Sequence, residues 1–207
     1  MATLEEKERP MARAAERPLR ADAQRNREKI LAAAVRVFTE DGLDAHLERI
    51  AREAGVGSGT LYRNFPTREA LIEAAYRNEV ARLCDAVPGL LATMPPDQAL
   101  RAWTRRFIDY ATAKLGMADA LRAVIAAGAN PYADSREMIQ GALCSLMDAG
   151  TAAGVIRTDI RPTDMFAALA GIALTSAQPD QRDQAERLLD LTLDGLRPVA
   201  GRGAGGR

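Results

Sequence analysis

Histidine is almost absent from this chain of 207 residues: His46 is the only one, and cysteine occurs twice, at Cys84 and Cys144. Neither cysteine belongs to a CxxC or Cys/His cluster, so spacing assembles no metal site, and two distant cysteines make no disulfide framework. They are expected to be reduced thiols in helices. A Ser-His-Asp or Cys-His site would have to recruit His46, which sits in a polar turn. No catalytic, metal or cofactor site is therefore expected, and the chain is not read as an enzyme. Long apolar runs are also missing. The stretch around Phe166 to Leu174 is diluted by Ala and Gly and stays short of the ~18 to 20 apolar residues that a bilayer span needs. The opening segment MATLEEKERPMARAAERPLR has no apolar core of the secretory type, so a cytoplasmic protein with no membrane partner is expected; Met11 is an alternative start. Strand-length runs of β-branched residues are absent too, which points to an all-α fold.

The chain has 47% hydrophobic and 27% charged residues, enough to bury a core in one large domain or in a small domain plus a larger one. The net charge is zero but unevenly spread. Residues 9–68 hold 12 Lys/Arg against 8 Asp/Glu, while residues 69–207 hold 15 against 17. The first part has a mild basic surplus that permits a polyanion-binding face without requiring one.

Residues 1–20 are charged, contain Pro10 and Pro18, and show no apolar periodicity, so they are expected to form a flexible basic arm. Arg9, Arg13, Arg17 and Arg20 in it either follow a DNA minor groove or belong to a solvated tail. From Asp22, the spacing of Ile30, Leu31, Ala34, Val35 and Phe38 predicts a helix ending near Gly42. Leu47, Ile50, Ala51 and Ala54 predict a second, short helix, with Gly55 placed for a left-handed cap. A third short and polar segment runs from Gly57 to Phe65 and is closed by Pro66, which forces Phe65 out of helical geometry. Thr67 then caps a long fourth helix carrying Leu71, Ile72, Ala75 and Leu83, ended by Pro88 and Gly89. Further helices are expected at about 96–115, 117–127, 134–153, 162–177 and 180–196, with Asp134 and Glu137 forming a capping box. Residues 199–207 are expected to be a disordered tail.

Two short helices joined by a glycine-containing turn, the second one polar, form a helix-turn-helix pattern whose second helix enters the DNA major groove. Gly59 lies inside that second helix, where glycine costs about 1 kcal/mol relative to alanine. Either a sugar-phosphate strand comes too close for a side chain, or the first turn is simply poorly formed. Arg63 and Ser58 are candidates for reading base edges, the other reading being a solvated helix face.

The run Ile50-Ala51, Gly55-Val56, then Gly59-Thr60-Leu61-Tyr62-Arg63-Asn64-Phe65-Pro66-Thr67-Arg68-Glu69-Ala70-Leu71 resembles the signature of the tetracycline-repressor (TetR) family. The likeness covers about residues 25–85. It implies a helix-turn-helix domain at 21–68, whose connecting helix continues to about 87, and a helical sensor and dimerisation domain at 69–198. About nine helices are expected in all. It also implies a homodimer that binds double-stranded DNA at a partly palindromic operator and represses transcription until a small effector releases it. By the same resemblance, Thr60 and Tyr62 are contacts from the recognition helix, Tyr62 to a phosphate, and Arg68 is the basic residue at the start of helix four that meets phosphate.

Three departures from that signature matter. Asn64 stands where histidine is frequent, and Gly57 replaces a frequent serine cap. His46 and Arg49 replace a serine and an acidic residue that form a capping box, a loss of about 1 kcal/mol. Positive charge at this helix start is tolerated because DNA phosphate approaches it, or it is plain variation. Downstream, Trp103, Phe107 and Tyr110 share one helix face and are expected, with Leu121, Met138, Leu143 and Met147, to line an effector cavity; otherwise they are core. Ala185, Leu188, Leu189, Leu193 and Leu196, with Phe166, Leu169, Ala170 and Ile172, form either a four-helix dimer interface through the last two helices or the inside of one subunit. A helical small-molecule-binding protein or enzyme with a decayed DNA-binding part is the alternative reading. Activation instead of repression would use the same structure.

Overall fold

A computed structural model describes residues 9–176 and 181–198, with side chains from residue 22 onward. Every regular element among them is helical. α1 (Arg9–Asp41) is followed by one 3-10 turn (Gly42–Asp44), α2 (Leu47–Ala54), α3 (Ser58–Asn64), α4 (Arg68–Thr93) and α5 (Pro96–Gly116). Then come α6 (Ala118–Ala126), α7 (Ser135–Ala152), α8 (Pro162–Thr175) and α9 (Arg182–Asp194).

The helix α1 begins at Arg9 and not near Asp22. Alanine, arginine and glutamate are strong helix formers, and Pro10 stands in the first turn, where its missing N–H loses no bond. Residues 9–20 continue the helix instead of forming an arm, through the interior Pro18, which removes one helical hydrogen bond. Residues 1–8, the side chains of Arg9, Arg13, Arg17 and Arg20, and the tail 199–207 lie outside the described residues.

The apolar face of α1 is buried as Ile30, Leu31, Ala33, Ala34, Val37 and Phe38, with Val35 left half-buried at its edge. This face packs on α2 and α4. Ile50, Ala51 and Ala54 fill the gap from α2, which stops at Gly55 with φ of 67° in the left-handed region. Phe65 is extended ahead of Pro66, as the proline requires, and its ring is buried. Thr67 caps α4, its hydroxyl oxygen accepting from the Ala70 N–H at 3.1 Å.

Pro88 does not end α4, which runs through it to Thr93. An interior proline costs about 3 kcal/mol. Val87 and Leu90 are buried on either side of it, and at roughly 1.5–3 kcal/mol for each fully buried side chain they outweigh the loss. The predicted capping box before α7 is also absent: Asp134 adopts φ of 61° and its side chain caps nothing. Instead the Ser135 hydroxyl donates to the Tyr132 carbonyl at 2.9 Å.

α4 is the axis of the molecule, packing against α1 on one side and α5, α6 and α7 on the other. Cys84 and Cys144 are unpaired, in α4 and α7. Burial, with Asp85 adding to it, pushes the Cys84 thiol up to about 11, so it stays protonated at neutral pH. α8 and α9 cover the far side of α5. Leu169 and Ile172 of α8 and Ala185, Leu189, Leu193 and Leu196 at the end of the chain are buried within the subunit, so most of the expected dimer stripe is core. The outward stripe is a different one: Ala167, Gly171 and Leu174 on α8, and Leu191 on α9 beside the half-buried Leu188. Periodicity finds an apolar face but not which of two neighbouring faces looks inward.

At the end of α5, Gly116 meets α1 so closely that a Cβ there would stand 2.4 Å from Cγ2 of Thr39. α6 also packs on the 3-10 turn that follows α1. Gly116→Ala is accordingly expected to destabilise the fold by about 1–3 kcal/mol through overpacking, read as a lowered urea midpoint. An unchanged midpoint would mean that Thr39 moves away freely.

Candidate nucleic-acid interface

α3 has seven residues and buries one of them, Leu61. With Phe65 one turn on, Leu61 anchors the helix, and Arg27 of α1 stacks its guanidinium 4.5 Å over the Phe65 ring. The remaining surface faces outward: Ser58, Gly59, Tyr62 and Arg63 are exposed, Thr60 and Asn64 half-buried. A Cβ on Gly59 would meet nothing within 4 Å. Nothing inside the protein requires a glycine there, so its intramolecular cost has no intramolecular return. Tyr62 is 44% exposed and carries no hydrogen bond. Arg63 folds along its own helix, donating from Nε to the Gly59 carbonyl at 3.2 Å and from Nη2 to the Thr60 hydroxyl at 3.1 Å. Asn64 Nδ2 donates to the Thr60 carbonyl at 2.8 Å. The bonds of Arg63 are local and exposed, and are readily exchanged for bonds to an incoming acceptor.

Two arginines behave differently. Arg68 donates to the carbonyls of Ala45, Leu43 (2.7 Å) and Gly42 (3.3 Å), and its guanidinium lies 5.1 Å from the centre of the Phe38 ring. The resemblance places it at a phosphate; the structure turns its donors inward, onto the carbonyls of the 3-10 turn and of Ala45 just after it. Arg49 bonds Asp41 at 2.6 Å, Glu53 at 2.9 Å, and Glu40. These carboxylates, Asp41 first, raise the guanidinium above its ordinary range. The charge that replaces the capping box is thus met inside the protein and needs no phosphate. His46 is exposed at the start of α2, and its side chain makes no capping bond. Of Arg49's partners only Glu53, four residues on in α2, was legible in the sequence; Glu40 and Asp41 on α1, and the Phe65 ring under Arg27, were not.

A second feature lies between α4, α5, α7 and α8: a cavity of about 420 Å³ lined by Tyr76, Phe107, Tyr110, Lys114, Tyr132 and Phe166 among others. Of the residues expected in an effector cavity, Phe107 and Tyr110 are there. Trp103 is fully buried, donating from its indole to the Leu83 carbonyl at 3.0 Å, and Leu121, Leu143 and Met147 are core. Met138 is exposed. A stripe at helical spacing spans a wide arc, and only part of it faces any one hole. Lys114 follows Phe107 and Tyr110 at helical spacing and was the legible signal missed; Tyr76 and Tyr132 had none. A wider groove of about 640 Å³ between α4 and α5 is lined by Glu79, Arg82, Asp85, Arg106 and Asp109. Its charges are of both signs, and Arg82–Glu79 (3.2 Å) is already paired.

Arg68→Ala is expected to destabilise the protein by about 2 kcal/mol, the range of hydrogen bonds from a charged group. Tyr62→Phe should stay within about 0.5 kcal/mol. Equal losses in urea unfolding would contradict this division between clamp and free surface.

Residues 30–75 match the family described as bacterial regulatory proteins, tetR family, and residues 95–198 match the SbtR-like transcriptional regulator C-terminal domain. A crystal structure of a TetR transcriptional regulator from Streptomyces coelicolor is 84% identical, covering 84% of this chain and 99% of that one, with a TM-score of 0.83. A TetR regulatory protein from Mycobacterium vanbaalenii is 33% identical over 87% of this chain and 100% of that one, with a TM-score of 0.72. An uncharacterised HTH-type transcriptional regulator of Bacillus subtilis is 42% identical over 65 residues, 31% of this chain. The match spans about a third of that relative's length (34%).

Proposed function

This chain belongs to the TetR family of bacterial transcriptional regulators, and from that premise we propose that it is a homodimeric repressor, released from a partly palindromic operator by a small ligand. Regulation in the cytoplasm, not catalysis, is the activity proposed. No helix among the described residues is long and apolar enough to cross a membrane. In this proposal residues 21–68 form the DNA-binding unit and 69–198 the sensor and dimerisation unit.

The observation that carries the proposal is Gly59, an exposed helical glycine with open space where its Cβ would be. A sugar-phosphate strand is the partner that would fill that space. Beside it, the Tyr62 phenol is free to donate to a phosphate, and Arg63 and Ser58 to base edges; Thr60 and Asn64 add hydroxyl and amide donors, and His46 sits at the α2 start. Arg68 is assigned a positioning role instead of a phosphate contact. Two copies are needed for recognition helices to reach successive major grooves about 34 Å apart. The stripe Ala167, Gly171, Leu174, Leu188 and Leu191 is the proposed contact, the glycine and alanine allowing close approach. Release by a ligand has a direct mechanical basis in this proposal, because α4 carries Arg68 at its start and Tyr76, at the cavity, about two turns further on. Eight residues of helix separate them, about 12 Å. A ligand that tilts α4 necessarily moves the clamp.

Gly59→Ala should leave the free protein as stable or up to about 1 kcal/mol more stable, while weakening DNA binding about tenfold, or 1.4 kcal/mol. Unchanged affinity in a gel-shift titration would overturn the close-approach reading. Selection of bound fragments from random DNA should return paired half-sites one helical turn apart; fragments without such pairing would overturn the dimeric operator. Leu174→Glu combined with Leu191→Glu should give a folded monomer in sedimentation and lose operator binding, and a persistent dimer would relocate the interface.

A further inference from the structure

The cavity between α4, α5, α7 and α8 has two cationic side chains in its lining, Lys114 and Arg136, and no carboxylate. Lys114 is half-buried with its Nζ 4.7 Å over the Tyr132 ring, and Arg136 lies 5.9 Å from the centre of the Phe166 ring. Neither is held in an ion pair. Of the other cations of α5, the half-buried Arg101 pairs with Asp190 and Arg105 pairs with Glu186 at 2.9 Å, while Arg106 is exposed and has no ion pair among the described residues. A half-buried ammonium held only against an aromatic face is the exception, and burial is the one influence acting on it, pulling its pKa down.

Three of the four hydroxyl groups of the cavity, those of Tyr76, Tyr110 and Ser135, are already committed. Tyr76 donates to the Ser135 hydroxyl at 3.1 Å, and Ser135 donates to the Tyr132 carbonyl at 2.9 Å. The Tyr76 proton being used, the 2.9 Å bond between the Tyr76 and Tyr110 hydroxyls has Tyr110 as donor. Burial, then the bond to Tyr76, pushes the Tyr110 phenol far above its ordinary range, so it brings no negative charge to Lys114. Of this cavity's side-chain donors, the ones left for a ligand are the two cations and the Tyr132 phenol, all of which suit an anionic acceptor. The remaining walls are the ring faces of the tyrosines and apolar side chains, among them Phe107, Phe166, Ile139, Leu115 and Leu174.

We infer that the cavity takes an organic anion, a carboxylate held by Lys114 and Arg136 with a flat apolar body between Tyr76, Phe107 and Phe166. A neutral ligand would leave both cations unpaired, and a cationic one would add a third positive charge. The volume of about 420 Å³ lies within the range of roughly 300–1,000 Å³ usual for small-molecule sites. The inference rests on the cavity being the sensor site of the proposed repressor, and the test separates the two.

The probes are 2-naphthoate and its uncharged isostere 2-naphthamide, titrated calorimetrically into the full-length protein and then into the protein bound to its selected DNA. The naphthoate is expected to bind at least about tenfold more tightly than the amide, the scale of a charge-assisted contact. Lys114→Met and Arg136→Gln should each reduce that preference, and the pair together should abolish it with thermal melting and amide affinity unchanged. Equal affinity for the two probes, or a preference surviving in the double variant, overturns the anion site. If the amide binds as well as the naphthoate and dissociates the DNA complex, the anion assignment falls and the sensor stands. Should the naphthoate bind through Lys114 without dissociating the complex, the anion site stands and ligand-released repression falls. Binding of neither probe overturns the inference.

Discussion

The guanidinium of Arg68 holds together the part of this molecule that meets other molecules. Where α1 ends, its last carbonyls have no helical partners, and the chain turns through Gly42, with φ of 56°, before α2 begins. Arg68, at the root of α4, supplies donors to three carbonyls of that turn and covers the Phe38 ring. A planar fork of five donors suits this task, whereas an ammonium would meet the carbonyls as a point charge. Because α2 and α3 follow directly from the turn, this side chain ties the start of the α2–α3 segment to the root of α4. Leu61 and Phe65 then only have to keep α3 seated.

Charge is divided on the same principle. Glu40, Asp41 and Glu53 would repel a phosphate backbone within a Debye length of about 8–10 Å. Arg49 pairs with all three, and Arg36 also reaches Glu53 at 3.5 Å. The acidic groups are thereby masked by arginines held in ion pairs with them. What faces outward on α3 is a phenol, a hydroxyl and one arginine whose own bonds are local and exposed.

The long middle helix joins the two ends of the molecule. α4 stays straight enough through Pro88 to pack along α1, α5, α6 and α7, and its buried residues run from Leu71 to Leu90. Tyr76 stands within this row yet ends in a hydroxyl relay rather than in apolar packing. The left-handed Asp134 adjoins Ser135 of that relay, so backbone strain of the order of 1–3 kcal/mol sits next to the cavity. Gly116 fits against Thr39 only because it has no side chain, giving α5 a second point of contact with α1.

The sequence alone determined what depends on neighbours along the chain. Apolar spacing, the Gly55 cap, the Thr67 cap, the extended Phe65 before Pro66 and the order of helices are all local consequences of backbone sterics and helical period, and they were legible. So was Gly59, because a glycine in a helix is anomalous without any coordinates. The continuation of α4 past Pro88 was not legible, since burial of Val87 and Leu90 by other helices outweighs a local penalty. The inward turn of Arg68, the carboxylate clamp on Arg49 and the choice of which leucines of α8 and α9 face out were also decided only in three dimensions. In each case the deciding partner comes from elsewhere in the chain, and the periodicity of one helix carries no record of what another helix brings to it.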